Sequence, residues 1–248
     1  MSADALFATL APDYEEHFAV PHRRAYDDLA WELTCAALPD PPASIVDVGC
    51  GVGRWARRFA ARGYDVLGIE PVSEMADRAE GLRVLRSGVQ DVSLPAQSAD
   101  VVVAMGSIQY APDPVAAIAR MASWLRPEGV LSVLVDSRIA LGIELLRAGR
   151  PGEAAERLDT GRGHWRLDGT SADLLLFDRE SLTAAVREAG LAVESVHGLL
   201  VGASIWGRDE LADRLSSDYE AQLGAERELA QRPDLADLGK QLLVIATR

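Results

Sequence analysis

The chain has 248 residues, 48% of them hydrophobic, enough to bury the core of one α/β domain. Its formal net charge of −13 repels a phosphate backbone and disfavours nucleic acid as a partner. No run reaches the roughly 18–20 apolar residues of a membrane span, and no basic-then-apolar leader opens the chain, so a cytoplasmic protein is expected.

Two cysteines, Cys35 and Cys50, are too few for a disulfide framework and read as free thiols. Lys240 is the one lysine beside many arginines, which reads as the codon bias of a GC-rich bacterial genome. No His, Asp or Glu cluster has metal-ligand spacing, so no metal is expected.

Residues 1–42 read as a helical cap. Stretches 13–18 and 23–38 are helical, the second with Tyr26, Leu29, Leu33 and Ala37 at helical spacing, and Pro39, Pro41 and Pro42 end it. A short β-branched run at 45–48 then predicts a buried strand. Glycines follow at 49, 51 and 53, and a helix begins with Trp55 and Phe59 four apart on one face. Gly63 stops it, and a second apolar run at 64–69 ends in Glu70.

Strand, glycine turn, helix, strand and acid is the order of a nucleotide-binding βαβ unit. The glycines let backbone N–H groups approach a ligand, and the acid can accept both hydroxyls of a ribose. A dinucleotide fingerprint would need glycine at 54, where this chain has Arg54. Asp47 would also repel a pyrophosphate, but it suits a ligand carrying an ammonium and a sulfonium. The alternatives are a Gly-rich turn without a ligand and, less favoured, a pyridine-nucleotide enzyme. The order Asp47-x-Gly49-x-Gly51-x-Gly53 resembles the first motif of the class I S-adenosylmethionine-dependent methyltransferases.

That resemblance implies a doubly wound α/β sheet of seven strands, the last antiparallel. It is strong over residues 40–135 and loose over 178–248. It implies a cap at 1–42, a cofactor-binding core at 43–136, a substrate-side insertion at 137–177 and the rest of the sheet at 178–248. The implied cofactor is S-adenosylmethionine, with S-adenosylhomocysteine as product. Tyr14 would lie near it, and Arg23 or Arg24 would meet its methionyl carboxylate. The turn Gly49-Cys50-Gly51-x-Gly53 would carry its backbone contacts. Pro71 and Met75 would border the adenine, and Gln90, Asp91 and Val92 would line the same end, Asp91 taking the exocyclic amine.

Residues 100–104 predict strand four, and the following loop, with Met105, Gly106 and Ser107, should line the site beyond the strand ends. Asp113 caps a helix that opens with Pro114, with Val115, Ile118, Ala122 and Leu125 inward. Ser73 is expected to cap the helix after Glu70. The run Leu125-Arg126-Pro127-Glu128-Gly129 resembles the turn before strand five in this family, and strand five is expected at 130–135. In the insertion, helices at 139–148 and 152–158 precede a glycine-flanked loop that carries His164, and 172–177 is a possible extra strand. A helix at 179–189, strand six at 191–196, a charged helix over 207–232 and strand seven at 241–246 complete the chain.

Many small-molecule members of the family carry a histidine after strand four; here Gln109-Tyr110 stands instead. His164, beside an aromatic residue, is the leading general-base candidate, since imidazole is the side chain suited to proton transfer near neutral pH. Tyr110 is either a hydrogen-bonding group at the acceptor or a wall of its pocket. His17, His22 and His197 have less in their favour. The expectation is methyl transfer to an O, N or C atom of a small molecule in bacterial secondary metabolism, by a monomer or homodimer. The alternatives are a methyltransferase acting on a modified tRNA uridine and a cyclase that binds the cofactor without spending it.

Overall fold

The computed structural model describes residues 3–167 and 169–248. Four parallel strands surround the first one: β1 (Ser44–Val48), β2 (Asp65–Ile69), β3 (Arg83–Leu85), β4 (Ala99–Met105) and β5 (Leu125–Asp136). A hairpin of β6 (Arg162–Leu167) and β7 (Thr170–Leu175) stands apart as its own two-stranded sheet. β8 (Ala192–Leu199) forms the far edge, and β9 (Gln241–Thr247) slips between it and β5, antiparallel to both. The order β3-β2-β1-β4-β5-β9-β8 is the expected seven-stranded sheet with its last strand reversed.

Two-residue alternation along the central strands divides the core into two layers. Val46, Val102, Leu131 and Val244 meet Ile118 and Met121 of α5 (Pro114–Trp124) and Leu182 and Val186 of α8 (Arg179–Glu188). Ile45, Val101, Val103 and Leu243 meet Leu29 of α2 (Pro21–Ala37), Phe59 of α3 (Arg54–Ala61), Leu211 of α10 (Arg208–Ser217) and Leu223 of α11 (Tyr219–Ala230). Both faces being covered is what makes β1 read as an apolar run instead of an alternating one.

The remaining helices are α1 (Ala3–Leu10), α4 (Ser73–Ala76), α6 (Arg138–Arg147), α7 (Pro151–Thr160) and α9 (Val201–Trp206). No helix among the described residues is long and apolar enough to cross a membrane.

Several local expectations are corrected. The cap opens with α1, and residues 13–18 form tight single turns at Ala11–Asp13 and Glu16–Phe18, not a continuous helix. Ser73 is the first residue of α4, and the capping position is Val72, whose N–H is taken by Glu70 Oε1 at 2.9 Å. Val115 is 39% exposed, while Ala117 and Met121 fill the inner face of α5 instead. The Leu125–Gly129 turn falls within β5, where Glu128 takes φ +64°. The charged segment breaks at Asp218, whose side chain accepts the Ala221 N–H at 3.1 Å and starts α11. The stretch around His164 is a strand, not a loop.

The expected N-cap on α5 is present, Asp113 Oδ1 accepting the Ala116 N–H at 3.0 Å. Urea unfolding should show Asp113→Ala costing about 1 kcal/mol. Ile118→Ala, which empties a fully buried site, should cost about 2–5 kcal/mol.

Candidate cofactor and acceptor site

The site lies beyond the carboxyl ends of β1, β2 and β4. Gly49, Gly51 and Gly53 have φ of +69°, +56° and +85°, a region that favours glycine. The N–H groups of Gly49 and Cys50 both bond the Ile69 carbonyl, at 2.7 and 3.1 Å, which ties the turn to the end of β2. Ser107 Oγ donates to the Val48 carbonyl at 2.5 Å and brings the loop after β4 against the turn. A Cβ on Gly49 would collide with the Ser107 side chain, so glycine there serves the contact between the two loops.

Two carboxylates are buried side by side. Asp47 is 1% exposed, and its Oδ2 has no hydrogen-bond partner. Burial and the neighbouring Glu70 charge push its pKa up to about 7, against a smaller opposing pull from the Ala56 N–H in the first turn of α3. Glu70 is 6% exposed; its Oε2 accepts the Gly51 N–H at 2.8 Å while its Oε1 takes Val72. Burial raises its pKa, and those two N–H groups hold it back. The arginines nearby are committed elsewhere: Arg54 and Arg58 reach Asp27 at 2.6 and 2.9 Å. The site is thus built to receive a cation.

Two cavities meet here. The larger, about 690 Å³, is lined by Tyr14, Gly49, Gly51, Glu70, Pro71, Met75, Gln90, Met105, Gly106 and Ser107. The smaller, about 210 Å³, is lined by Asp47, Cys50, Arg23 and, shared with the first, Tyr14, Gln109 and Tyr110. Burial keeps the Tyr14 phenol neutral, its pKa pushed up to about 12, and it also pushes the Cys50 thiol up.

Not every expected residue faces the site. Of the arginine pair, Arg23 lines the smaller cavity, whereas Arg24 lies over the Tyr219 ring at 4.4 Å and pairs with Asp28 at 3.6 Å. Gln90 lines the larger cavity, but Asp91 is exposed and accepts the Gln90 side-chain N–H at 2.9 Å. Val92 is buried outside the lining, with its carbonyl taken by Arg120 at 2.9 Å. Gly53 packs toward Leu82 and Ala79, not toward the cavity.

The catalytic candidates also separate. Tyr110 lines both cavities, and burial raises its pKa, so its hydroxyl is a donor. His164 lines neither; its side chain is 54% exposed and bonds Asp173 Oδ1 at 2.6 Å. Alternation along β6 explains this, because its neighbour Trp165 points inward and lines the smaller cavity. His17 and His22 do face that cavity, each with one buried ring nitrogen lacking a hydrogen-bond partner. Gln109, in place of the family's loop histidine, is a clamp: its Nε2 donates to Asp136 Oδ2 at 3.0 Å and its Oε1 accepts the Asp136 N–H at 2.7 Å. Only the position of His17 and His22 on the cap hinted at their role; neither has a motif.

Comparison with known proteins agrees with this geometry. A family model described as a methyltransferase domain matches residues 16–196. The ubiquinone biosynthesis O-methyltransferase of Xanthomonas axonopodis pv. citri (strain 306) is 31% identical over 208 residues, covering 79% of this chain and 82% of that one. A structure of an S-adenosylmethionine-dependent methyltransferase from Mesorhizobium loti has TM-score 0.60 and 20% identity, covering 89% of this chain and 98% of its own. A second, from Thermotoga maritima, has TM-score 0.62 and 21% identity and covers 98% of each chain. The chain belongs to the methyltransferase domain family and is a class I S-adenosylmethionine-dependent methyltransferase.

The raised pKa of Asp47 gives a stability signature. In the folded chain it holds its proton up to about pH 7, against 3.8 for the free side chain, so its contribution favours folding at low pH and is lost as pH rises from about 4 through 7. Without ligand, Asp47→Asn should therefore melt several degrees above the parent at pH 8. The gap should narrow steadily as pH falls from 7 and close only toward pH 4, as read by calorimetric melting.

Proposed function

We propose that the chain transfers a methyl group from S-adenosylmethionine to a small molecule enclosed in the smaller cavity, within bacterial secondary metabolism. The observation that carries this is the orphaned Asp47 oxygen, buried beside Glu70 at the mouth of a glycine cradle. Such an oxygen asks for a cationic donor, and an α-ammonium supplies one. Glu70 would accept the ribose hydroxyls while its backbone bonds hold the turn. Met75, Pro71 and Gln90 would border the adenine, with Gln90 replacing Asp91 as the polar contact. Arg23 would meet the carboxylate, and Tyr14 would cover the cofactor from the cap.

S-adenosylmethionine supplies a methyl on a cationic sulfur and leaves as a neutral thioether, so positioning provides much of the rate. The chain's own groups orient the acceptor and manage its proton. Tyr110 donates a hydrogen bond to it, and the unpartnered Nε2 of His17 can accept a proton within the same chamber. His164 has no part in this, since it faces away.

A small molecule fits better than a nucleic acid for two reasons. The chamber is only about 210 Å³, and the Arg57-Arg58 pair is spent on Glu15 at 3.0 Å and Asp27 at 2.9 Å, leaving no basic stripe there. An oxygen acceptor is favoured by the ubiquinone-biosynthesis relatives. The placing in secondary metabolism rests on the arginine-rich composition alone.

Two measurements test this reading. Calorimetry should detect S-adenosylmethionine and S-adenosylhomocysteine but no pyridine dinucleotide, and Asp47→Asn should weaken both by about 30-fold or more. Methyl-labelled cofactor with a library of small acceptors should move label to product; turnover of an acceptor without label transfer would contradict the reading.

A further inference from the structure

The smaller cavity has a polar inner end that the cofactor assignments leave unused. Arg208, the first residue of α10, and Lys240, just before β9, both line it. They share one carboxylate, Glu144, which lies at 3.8 Å from Arg208 and 3.1 Å from Lys240 and is itself 43% exposed. Arg208 and Lys240 thus bring two cations to this wall, set against Glu144 and the buried Asp136. Over the whole chain, acids outnumber bases 38 to 25. Asp136 also faces the chamber; burial raises its pKa, while Lys240 and the Gln109 amide, at 3.0 Å, hold it back.

The field of this pair reaches inward. His22 is pushed down to about 4, first by burial and then by Arg208 and Lys240, so it stays neutral there. Beside it, Gln241 is 7% exposed and its Oε1 has no partner. An amide oxygen left bare in a buried wall asks for a ligand O–H or N–H.

Part of the same lining is aromatic. Phe7 of α1, Tyr110 of the loop after β4 and Trp165 of β6 come from three separate elements and meet edge to face. Phe7 lies 5.0 Å from Tyr110 and 5.6 Å from Trp165, centroid to centroid. All three line the same cavity as Arg208 and Lys240. Such a cluster offers flat apolar surface to a planar guest.

Building on the function proposed above, we propose that the methyl acceptor is a hydroxylated aromatic anion. Its ring lies against Phe7, Tyr110 and Trp165, its carboxylate-class group meets Arg208 and Lys240, and a ring hydroxyl meets Gln241.

Calorimetric titration with 3-hydroxybenzoate and its neutral isostere 3-hydroxybenzamide tests this, on the protein with and without S-adenosylhomocysteine. The acid should bind at least tenfold more tightly than the amide. Arg208→Gln should cut that preference to about threefold or less, and Arg208→Glu should reverse it. Trp165→Leu should weaken both ligands by the same factor. Circular dichroism and unchanged S-adenosylhomocysteine affinity keep the Arg208 variants interpretable. Equal binding of acid and amide, a preference for the amide, or a preference untouched by Arg208→Glu would overturn the proposal. Failure to bind S-adenosylhomocysteine would count against the cofactor reading instead, because the acid preference is read without it too.

Discussion

The structure turns on two carboxylates buried at the ends of adjacent parallel strands with no cation set against them. Asp47 and Glu70 each carry the cost of burial, and the Glu70 charge adds to it for Asp47. A chain gains no stability from this arrangement. It persists because the covered strands, the glycine turn and α3 fix Asp47 where a bound ammonium would relieve it. On the function proposed above, stability given up in the empty protein would be recovered on binding.

Around that pair, each neighbouring loop has one task. Glu70 uses both oxygens to hold the turn and the start of α4, so its carboxylate is fixed in orientation. Ser107 fastens the loop after β4 to the end of β1, and Gln109 fastens its far end to β5. The acceptor chamber is therefore framed by rigid strand ends on one side. On the other it is framed by the cap and the β6–β7 hairpin, the elements most free to differ between relatives. A methyltransferase core that asks only for positioning leaves substrate choice to those two additions.

The core of the fold was legible because β1, β2 and the glycine turn are local signals: strand length, positive-φ glycines and an acid at a fixed position. The hairpin was not. Gly163 sits inward against Leu176, where a larger side chain would have supplied the alternating pattern that marks a strand. That gap made His164 look like a loop residue, although strand alternation sends it outward and its neighbour Trp165 inward. The break at Asp218 was available as an Asp cap after two serines but was hidden by charged residues on both sides. Asp91 and Gln90 differ by one position in a turn, and only three-dimensional packing decides which faces the cavity. His17 and His22 ranked below His164 in the sequence, because what they face across the chamber is set by packing.

The account stands on the ionisation of one side chain, and carboxyl-carbon NMR of Asp47 reads it directly. In the empty protein its signal should titrate near pH 7; with S-adenosylhomocysteine bound it should stay ionised down to about pH 5. An ordinary midpoint near 4 in the empty protein, or a midpoint the ligand does not move, would contradict it.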